Sequence, residues 1–406
     1  MFKKLLRFLG IVWQWIGGIA LLLVILFLSI KNPYERLYES PKFRKETDFS
    51  DGPFVFRVKP SQLKFITSQD DPQKSGFQIS EQLVDLEEGA RILSAMGQSL
   101  EDPSLPAALP SSFQTEQIAV VGDIHGKYRH LILLLQNNNI VDQELNWIWK
   151  ANQLVILGDV FDKGPEVTRC LWLIRKLEAQ AEKENGRVYY LFGNHDHLAL
   201  NGKSRTNHYK YTLLAERLGV GSDSLFNKNS LLGQWIRNRN LIVKINDRLF
   251  MHAGLSERLL NRRLALERMN HLARQSFDPD RLPELSSEDR AICGDIWGPE
   301  GPVWFRGYYD SSFPFGFLGK LRKDLREAEG VESLLDRTLQ QYGCRQIVVG
   351  HLPSKQIRTL YHNKLIVTCP DLPYNDIPAA VPEGELLLIE KEQAFRAGCD
   401  GKKQRL

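Results

Sequence analysis

Six side chains of the kinds that bind hard or borderline metals recur along the chain in one local setting. Asp123 and His125 lie in Gly122-Asp123-Ile124-His125-Gly126, and Asp159 lies in the stretch GDVFDKGP that runs from Gly158 to Pro165. Asn194 stands in Gly193-Asn194-His195-Asp196, His252 opens His252-Ala253-Gly254, and His351 follows Gly350. Carboxylate, imidazole and carbonyl oxygen are the donors that such divalent ions accept. Asp123 and His125 are two positions apart, so an extended segment projects both to one side, where they can hold one ion. Asn194, His252 and His351 can hold a second, and the Asp159 carboxylate can bridge the two. Paired ions about 3.5–4 Å apart can bind a shared water, lower its pKa and clamp the oxygens of a phosphoryl group. The five cysteines are scattered and form no CxxC pair, so neither a disulfide framework nor a zinc–thiolate site is expected.

Each of these motifs ends a short apolar run: Ile118–Val121, Leu154–Leu157, Val188–Phe192, Arg248–Met251 and Gln346–Val349. Such runs read as buried strands, and ligands of α/β sheets bind at the C-terminal strand edge. Glycine beside the ligand permits a sharp turn. A single Gly-Asp after a strand is most often a plain turn. Here five turns share one ligand chemistry and contain four of the nine histidines, which points to one site rather than to coincidence. His130, His208, His271 and His362 fall outside the motifs and read as packing or surface residues.

The alternation of apolar runs with amphipathic stretches predicts a layered α/β domain over residues 116–391. Gly202–Asn240 and Ser256–Glu300 lie between ligand-bearing runs and are expected to form helical cap elements beside the site. Residues 31–115 read as an extension and linker, with strands at Pro53–Val58 and Gln62–Thr67, a helix over Ser80–Met96 and a Pro- and Ser-rich stretch from 97 to 115. Residues 392–406 form a tail, polar and expected to be frayed from Arg396 to Leu406.

The net charge of +4 is unevenly placed, because residues 1–45 carry eight basic and two acidic side chains. The remainder is close to neutral, which excludes a chain-wide basic surface for nucleic acid. Phe8–Ile30 contains no charged residue and is long enough for a membrane helix, which needs about 20 apolar residues. Trp13 and Trp15 suit an interface. A cleaved signal peptide has a shorter apolar stretch and ends at small residues, so residues 1–30 read as an uncleaved membrane anchor.

The series GDIHG, GDVFDKGP, GNHD, HAG and GH resembles the calcineurin-like metallophosphoesterases over Glu116–Glu390. Within them it resembles the phosphoprotein phosphatase (PPP) family, because His351 is followed by Leu352-Pro353 rather than by a second motif histidine. The segment Gly301-Pro302-Val303-Trp304-Phe305-Arg306 is similar to the Shewanella-like phosphatases. The resemblance implies a β-sandwich flanked by helices. It implies two divalent ions, Mn²⁺ or an Fe/Zn pair, with Asp123, His125 and Asp159 on one and Asp159, Asn194, His252 and His351 on the other.

It further implies that a hydroxide shared by the ions attacks phosphorus, that His195 protonates the leaving oxygen, that Asp162 orients His195, and that Arg306 clamps phosphate. Imidazole can supply such a proton near neutral pH, and guanidinium can grip two phosphate oxygens. Two positions depart from the family pattern. Lys163 stands where arginine is usual, keeping the charge and losing the fork, and Asp196 stands where eukaryotic members carry glutamate. The expected function is a membrane-anchored phosphatase acting on phosphoproteins or small phosphoesters. A dinucleoside tetraphosphate hydrolase and a membrane-tethered binding protein without catalysis are the alternatives.

The expected location has a direct check. Phe8–Ile30 should keep the protein in the membrane fraction through a high-salt wash, which removes electrostatic attachment only. Lys3, Lys4, Arg7 and the α-amino group favour an N-terminus inside, and in a bacterial source the catalytic domain would then face the periplasm. Protease digestion of intact spheroplasts reads that orientation, and a soluble product lacking residues 1–30 would reveal a cleaved signal instead.

Overall fold

The computed structural model describes residues 48–71, 76–101, 112–277, 281–308, 330–351, 354–368 and 384–406. The expected anchor, residues 8–30, lies outside them, and no helix among the described residues is long and apolar enough to cross a membrane. Strands β1 (Asp51–Lys59), β2 (Gln62–Asp71) and β3 (Gly76–Asp85) form an antiparallel three-stranded sheet. The expected strands at 53–58 and 62–67 are therefore present. The expected helix over Ser80–Met96 is shorter. Ser80–Asp85 pairs with Gln62–Thr67, and Asp85 caps a helix that runs only over Leu86–Ala95, its carboxylate accepting from the Glu88 amide at 2.9 Å. A side-chain acceptor for an otherwise unpaired N–H sets that boundary.

Among the described residues, twelve further strands make two six-stranded sheets. In chain order they are β4 (Ser112–Phe113), β5 (Gln117–Val121), β6 (Gln153–Ile156), β7 (Arg187–Tyr190), β8 (Ile242–Ile245), β9 (Arg248–Met251), β10 (Gln346–Val349), β11 (Arg358–Leu360), β12 (Leu365–Val367), β13 (Glu385–Glu390), β14 (Gln393–Gly398) and β15 (Lys403–Arg405). One sheet has the order β15-β14-β13-β5-β6-β7 and the other β11-β12-β10-β9-β8-β4. Alternation along the strands creates the layers. In β5, Ile118 and Val120 join a buried cluster with Val243, Phe250, Val348 and Ile366 of the facing sheet. Ala119 and Val121 join the larger cluster that packs helices against the outer faces. The result is a β-sandwich flanked by helices.

The direction of the strands places the motifs. β5, β6 and β7 are parallel neighbours, and β9 and β10 are parallel neighbours in the other sheet. All five ligand-bearing runs are strands, and each delivers its motif from its C-terminal end. The cap segments are helical as expected, at Tyr209–Leu218, Leu231–Arg237, Glu257–Leu260, Leu266–Ser276 and Ser287–Trp297. The periodic stretch from Ser256 breaks into two helices near Arg263, whose φ is +50°.

The C-terminal tail is not frayed. β14 and β15 extend the first sheet through the pairs Phe395↔Arg405 and Ala397↔Lys403. Polar residues suit an edge strand, and Gly401 at φ +76° makes the intervening turn.

The N-terminal sheet is joined to the rest by buried polar contacts. Lys210 Nζ lies 3.3 Å from Asp51 Oδ2 and donates to the Ser50 carbonyl at 3.1 Å. Thr168 Oγ1 donates to Asp51 Oδ2 at 3.2 Å, and Trp172 Nε1 donates to the Pro53 carbonyl at 3.0 Å. The Lys210 and Asp51 side chains are 3% and 0% exposed, so removing one charge strands the other away from water. Lys210→Met is expected to destabilise the protein by about 3–5 kcal/mol, seen as a lower urea midpoint, whereas Lys244→Met at the part-exposed surface should shift it far less.

Candidate active site

Three of the ligand turns are backbone-strained. Asp159 has φ +51°, His351 +73°, His125 +48°, Asp162 +71° and Lys163 +65°. Such conformations cost about 1–3 kcal/mol each for residues with a Cβ and persist only where their surroundings impose them. The surroundings here are specific. The Asp159 carbonyl accepts from the amides of Ile124 and His125 at 3.1 and 2.8 Å, tying the first motif to the second. The third motif approaches so closely that a Cβ on Gly193 would stand 2.1 Å from Asp159 Oδ1.

Asp196, read from sequence only as a departure from the family pattern, organises this strain. Its fully buried carboxylate accepts from the amides of Gly193 (2.8 Å), Asp159 (2.9 Å), Val160 (2.9 Å) and Phe161 (3.1 Å). Burial and the neighbouring charge of Asp159 push its carboxyl up to about 6, against the pull of the amides. An acidic residue in the first turn of the helix Asn194–Leu200 is a capping signal that the sequence does carry. Its reach to the second motif is a tertiary fact.

The six expected ligands converge. Asp159 shares one group with His125 and His195 and a second with Asp123 and His252, the ligand atoms of each lying within 4.8 Å of one another. His252 Nδ1 contacts the Leu157 carbonyl at 2.8 Å; a carbonyl only accepts, so Nδ1 carries the proton and Nε2 of the neutral ring is a bare lone pair. That Nε2 lies 2.9 Å from Asn194 Oδ1 and 3.2 Å from His351 Nδ1, which is itself 2.9 Å from Asn194 Oδ1. Three donor atoms thus crowd together with at most one hydrogen among neutral rings, an arrangement a cation satisfies. His125 also turns its Nε2 toward the carboxylates, where it accepts from Lys163 Nζ at 2.8 Å. Its Nδ1 faces the Phe161 carbonyl at 2.8 Å, leaving Nε2 as a lone pair 3.7 Å from Asp159 Oδ2 and 3.9 Å from Asp123 Oδ2. Burial and the charge of Lys163 hold the His125 ring neutral. At Asp159 burial would raise the carboxyl, but the surrounding histidines, His252 foremost, hold it well below the usual range. The donor set therefore fits divalent ions, with Asp159 between two ligand groups.

The remaining expected residues are placed as follows. His195 Nδ1 pairs with Asp162 Oδ2 at 2.7 Å, and the His195 ring stands edge-on to His125 with centroids 4.9 Å apart. Burial would lower the His195 pKa, yet Asp159 and Asp162 together raise it. Arg306 is exposed and reaches the centre through His351, its Nε donating to His351 Nε2 at 2.9 Å. Lys163 Nζ lies 2.8 Å from His125 Nε2, so its charge sits at the ligand face. Sequence reasoning missed Ser204 and Thr206, whose hydroxyls donate to Asp162 at 2.6 and 3.0 Å. They lie about forty residues from Asp162, and no local spacing signals the contact.

Residues 117–355 match the calcineurin-like phosphoesterase family, and the chain belongs to it. An uncharacterised Schizosaccharomyces pombe protein is 29% identical over 251 residues, 58% of this chain and 67% of that one. Shewanella-like protein phosphatase 1 of Plasmodium berghei is 27% identical over 61% of this chain and 64% of its own length. The alignments thus span about two thirds of these relatives. Among solved structures, a cold-active protein tyrosine phosphatase superposes with a TM-score of 0.69 at 27% identity, covering 89% of this chain and 98% of that one. The corresponding enzyme of a psychrophilic Shewanella species superposes at 0.66 and 27%, covering 88% and 99%.

Asp196→Ala removes the shared acceptor of four buried amides. The expected cost is at least about 3 kcal/mol, read as a lower urea midpoint. A matching loss of bound metal, read by elemental analysis, should accompany it because Asp159 and Asn194 both move. An unchanged metal content would show that the turns hold without Asp196.

Proposed function

We propose that the chain is a metal-dependent phosphatase that hydrolyses phosphate monoesters, with phosphorylated proteins as the leading substrate class. The observation that carries this reading is the pairing of one convergent ligand cluster, shared through Asp159, with a His195–Asp162 dyad whose ring faces it. Asp123, His125 and Asp159 would hold one ion and Asp159, Asn194, His252 and His351 another. The oxygen and nitrogen donors suit Mn²⁺ or an Fe/Zn pair. Bound there, such ions supply Lewis-acid polarisation of phosphoryl oxygens and a water of lowered pKa.

The chain's own residues account for the rest. Asp162 takes the Nδ1 proton of His195 as a hydrogen bond, so the ring presents Nε2–H from its far side. Water adds to phosphorus as the P–O bond to the alcohol breaks, and the bonding electron pair leaves on oxygen. His195 Nε2 gives that oxygen its proton and is restored by the proton released from water. Arg306 and Lys163 place two positive charges at the ligand face, where developing charge on phosphoryl oxygens is stabilised. The relatives named as protein phosphatases and the structural neighbours named as protein tyrosine phosphatases support a phosphoprotein substrate. We place the enzyme at a membrane through residues 8–30, on the uncharged length of that run.

The test is a Mn²⁺-reconstituted full-length chain assayed on phosphoseryl, phosphothreonyl and phosphotyrosyl peptides and on dinucleoside tetraphosphates. Release of phosphate from peptides alone supports the reading. Preference for the dinucleotide would replace it, and metal uptake without turnover on any substrate would indicate a binding protein. His195→Ala should lower turnover on alkyl phosphates roughly 100-fold or more and less on p-nitrophenyl phosphate, whose leaving group barely needs a proton.

A further inference from the structure

Asp162 has 0% exposed surface in a strained turn, and its buried carboxyl oxygens must be met by hydrogen bonds. Three groups meet it. His195 Nδ1 lies 2.7 Å from Oδ2, Thr206 Oγ1 donates to Oδ2 at 3.0 Å, and Ser204 Oγ donates to Oδ1 at 2.6 Å. Thr206 Oγ1 also lies 3.4 Å from His195 Nδ1, so its hydroxyl touches both members of the dyad.

The segment that carries the hydroxyls is fixed. The Lys163 amide donates to the Thr206 carbonyl at 2.9 Å, and the Thr206 amide donates to Ser204 Oγ at 3.3 Å. At its far end the segment enters the helix Tyr209–Leu218, whose Lys210 is bound to Ser50 and Asp51 of the N-terminal sheet. Exposure alternates along it: Lys203 and Arg205 are exposed, whereas Ser204 and Thr206 are half-buried. That period of two turns both hydroxyls to the same buried carboxylate.

We propose that Ser204 and Thr206 are positioning residues for proton donation by His195, an inference that rests on His195 being the acid. Both hydroxyls donate to Asp162, so both of its carboxyl oxygens act as acceptors. Nδ1 of His195 must then be the donor in that pair, so the transferable proton stands on Nε2. Ser204 fixes Oδ1 and Thr206 fixes Oδ2, which leaves the carboxylate no freedom to rotate away from the imidazole. Without them Asp162 would lie buried with two of its three side-chain hydrogen bonds missing, and the direction of the His195 ring would loosen. A merely structural role for the segment predicts something different: equal losses on every substrate.

The experiment compares full-length, Mn²⁺-loaded wild type, Ser204→Ala/Thr206→Val, Thr206→Ser and His195→Ala on an alkyl phosphate monoester and on p-nitrophenyl phosphate, at matched metal content. The double variant should lose about 10-fold or more in kcat on the alkyl ester and clearly less on the nitrophenyl ester. KM should change little on either. Thr206→Ser keeps the hydroxyl and should stay close to wild type on both. Equal losses on the two esters, or no loss, would overturn the positioning role while leaving His195 as the acid, provided His195→Ala itself shows the split. Equal losses in His195→Ala would overturn the acid reading and this inference together. Should the double variant not fold, Ser204→Ala and Thr206→Val are read singly by the same split.

Discussion

A charged carboxylate at a fully buried position, Asp159, is the constraint from which the site follows. Burial alone would neutralise it. It stays ionised because His252, His195, His125 and His351 surround it. Bringing four imidazoles to one carboxylate requires two sheets, since β5, β6 and β7 carry some of these groups and β9 and β10 carry the others. The β-sandwich is thus the device that joins two strand edges at one point, and the apolar cluster between the sheets holds those edges in register.

The turns that carry the ligands are strained, and the strain is met by directed hydrogen bonds rather than by apolar packing. Asp196 gathers four amides from the second and third motifs. The Asp159 carbonyl gathers two from the first. Net gains of about 1.5–3 kcal/mol per hydrogen bond to a charged group are comparable with the cost of each left-handed residue. The geometry is therefore stable only as a set.

The three-stranded N-terminal sheet lies before the region matched by the family. It is nevertheless continuous with the site through Asp51, Lys210 and the segment bearing Ser204 and Thr206. Both charges of the Asp51–Lys210 pair are removed from water, so separating the sheet from the helix is strongly unfavourable. Buried polar contacts thus link the extension to the segment that touches Asp162.

The sequence by itself determined the family, the five strands and the donor side chains that stand at their ends. Each is encoded locally: a short continuous apolar run, then a turn with glycine and a donor side chain, within a few residues. It also placed His195 and Asp162 in motifs, and it exposed the uncharged run Phe8–Ile30. Local pattern misjudged two boundaries. Ser80–Asp85 is a strand because its partner β2 pairs with it, and Arg396–Leu406 is ordered because a sheet edge was there to receive it. Only the tertiary structure decided which groups meet: Asp196 with the amides of the second motif, Ser204 and Thr206 with Asp162, Arg306 with His351, and Lys163 with His125. Residue types and short spacings record what a side chain can do. Contacts between residues tens to hundreds of positions apart depend on where the strands end and how the sheets face, and no local spacing carries that information.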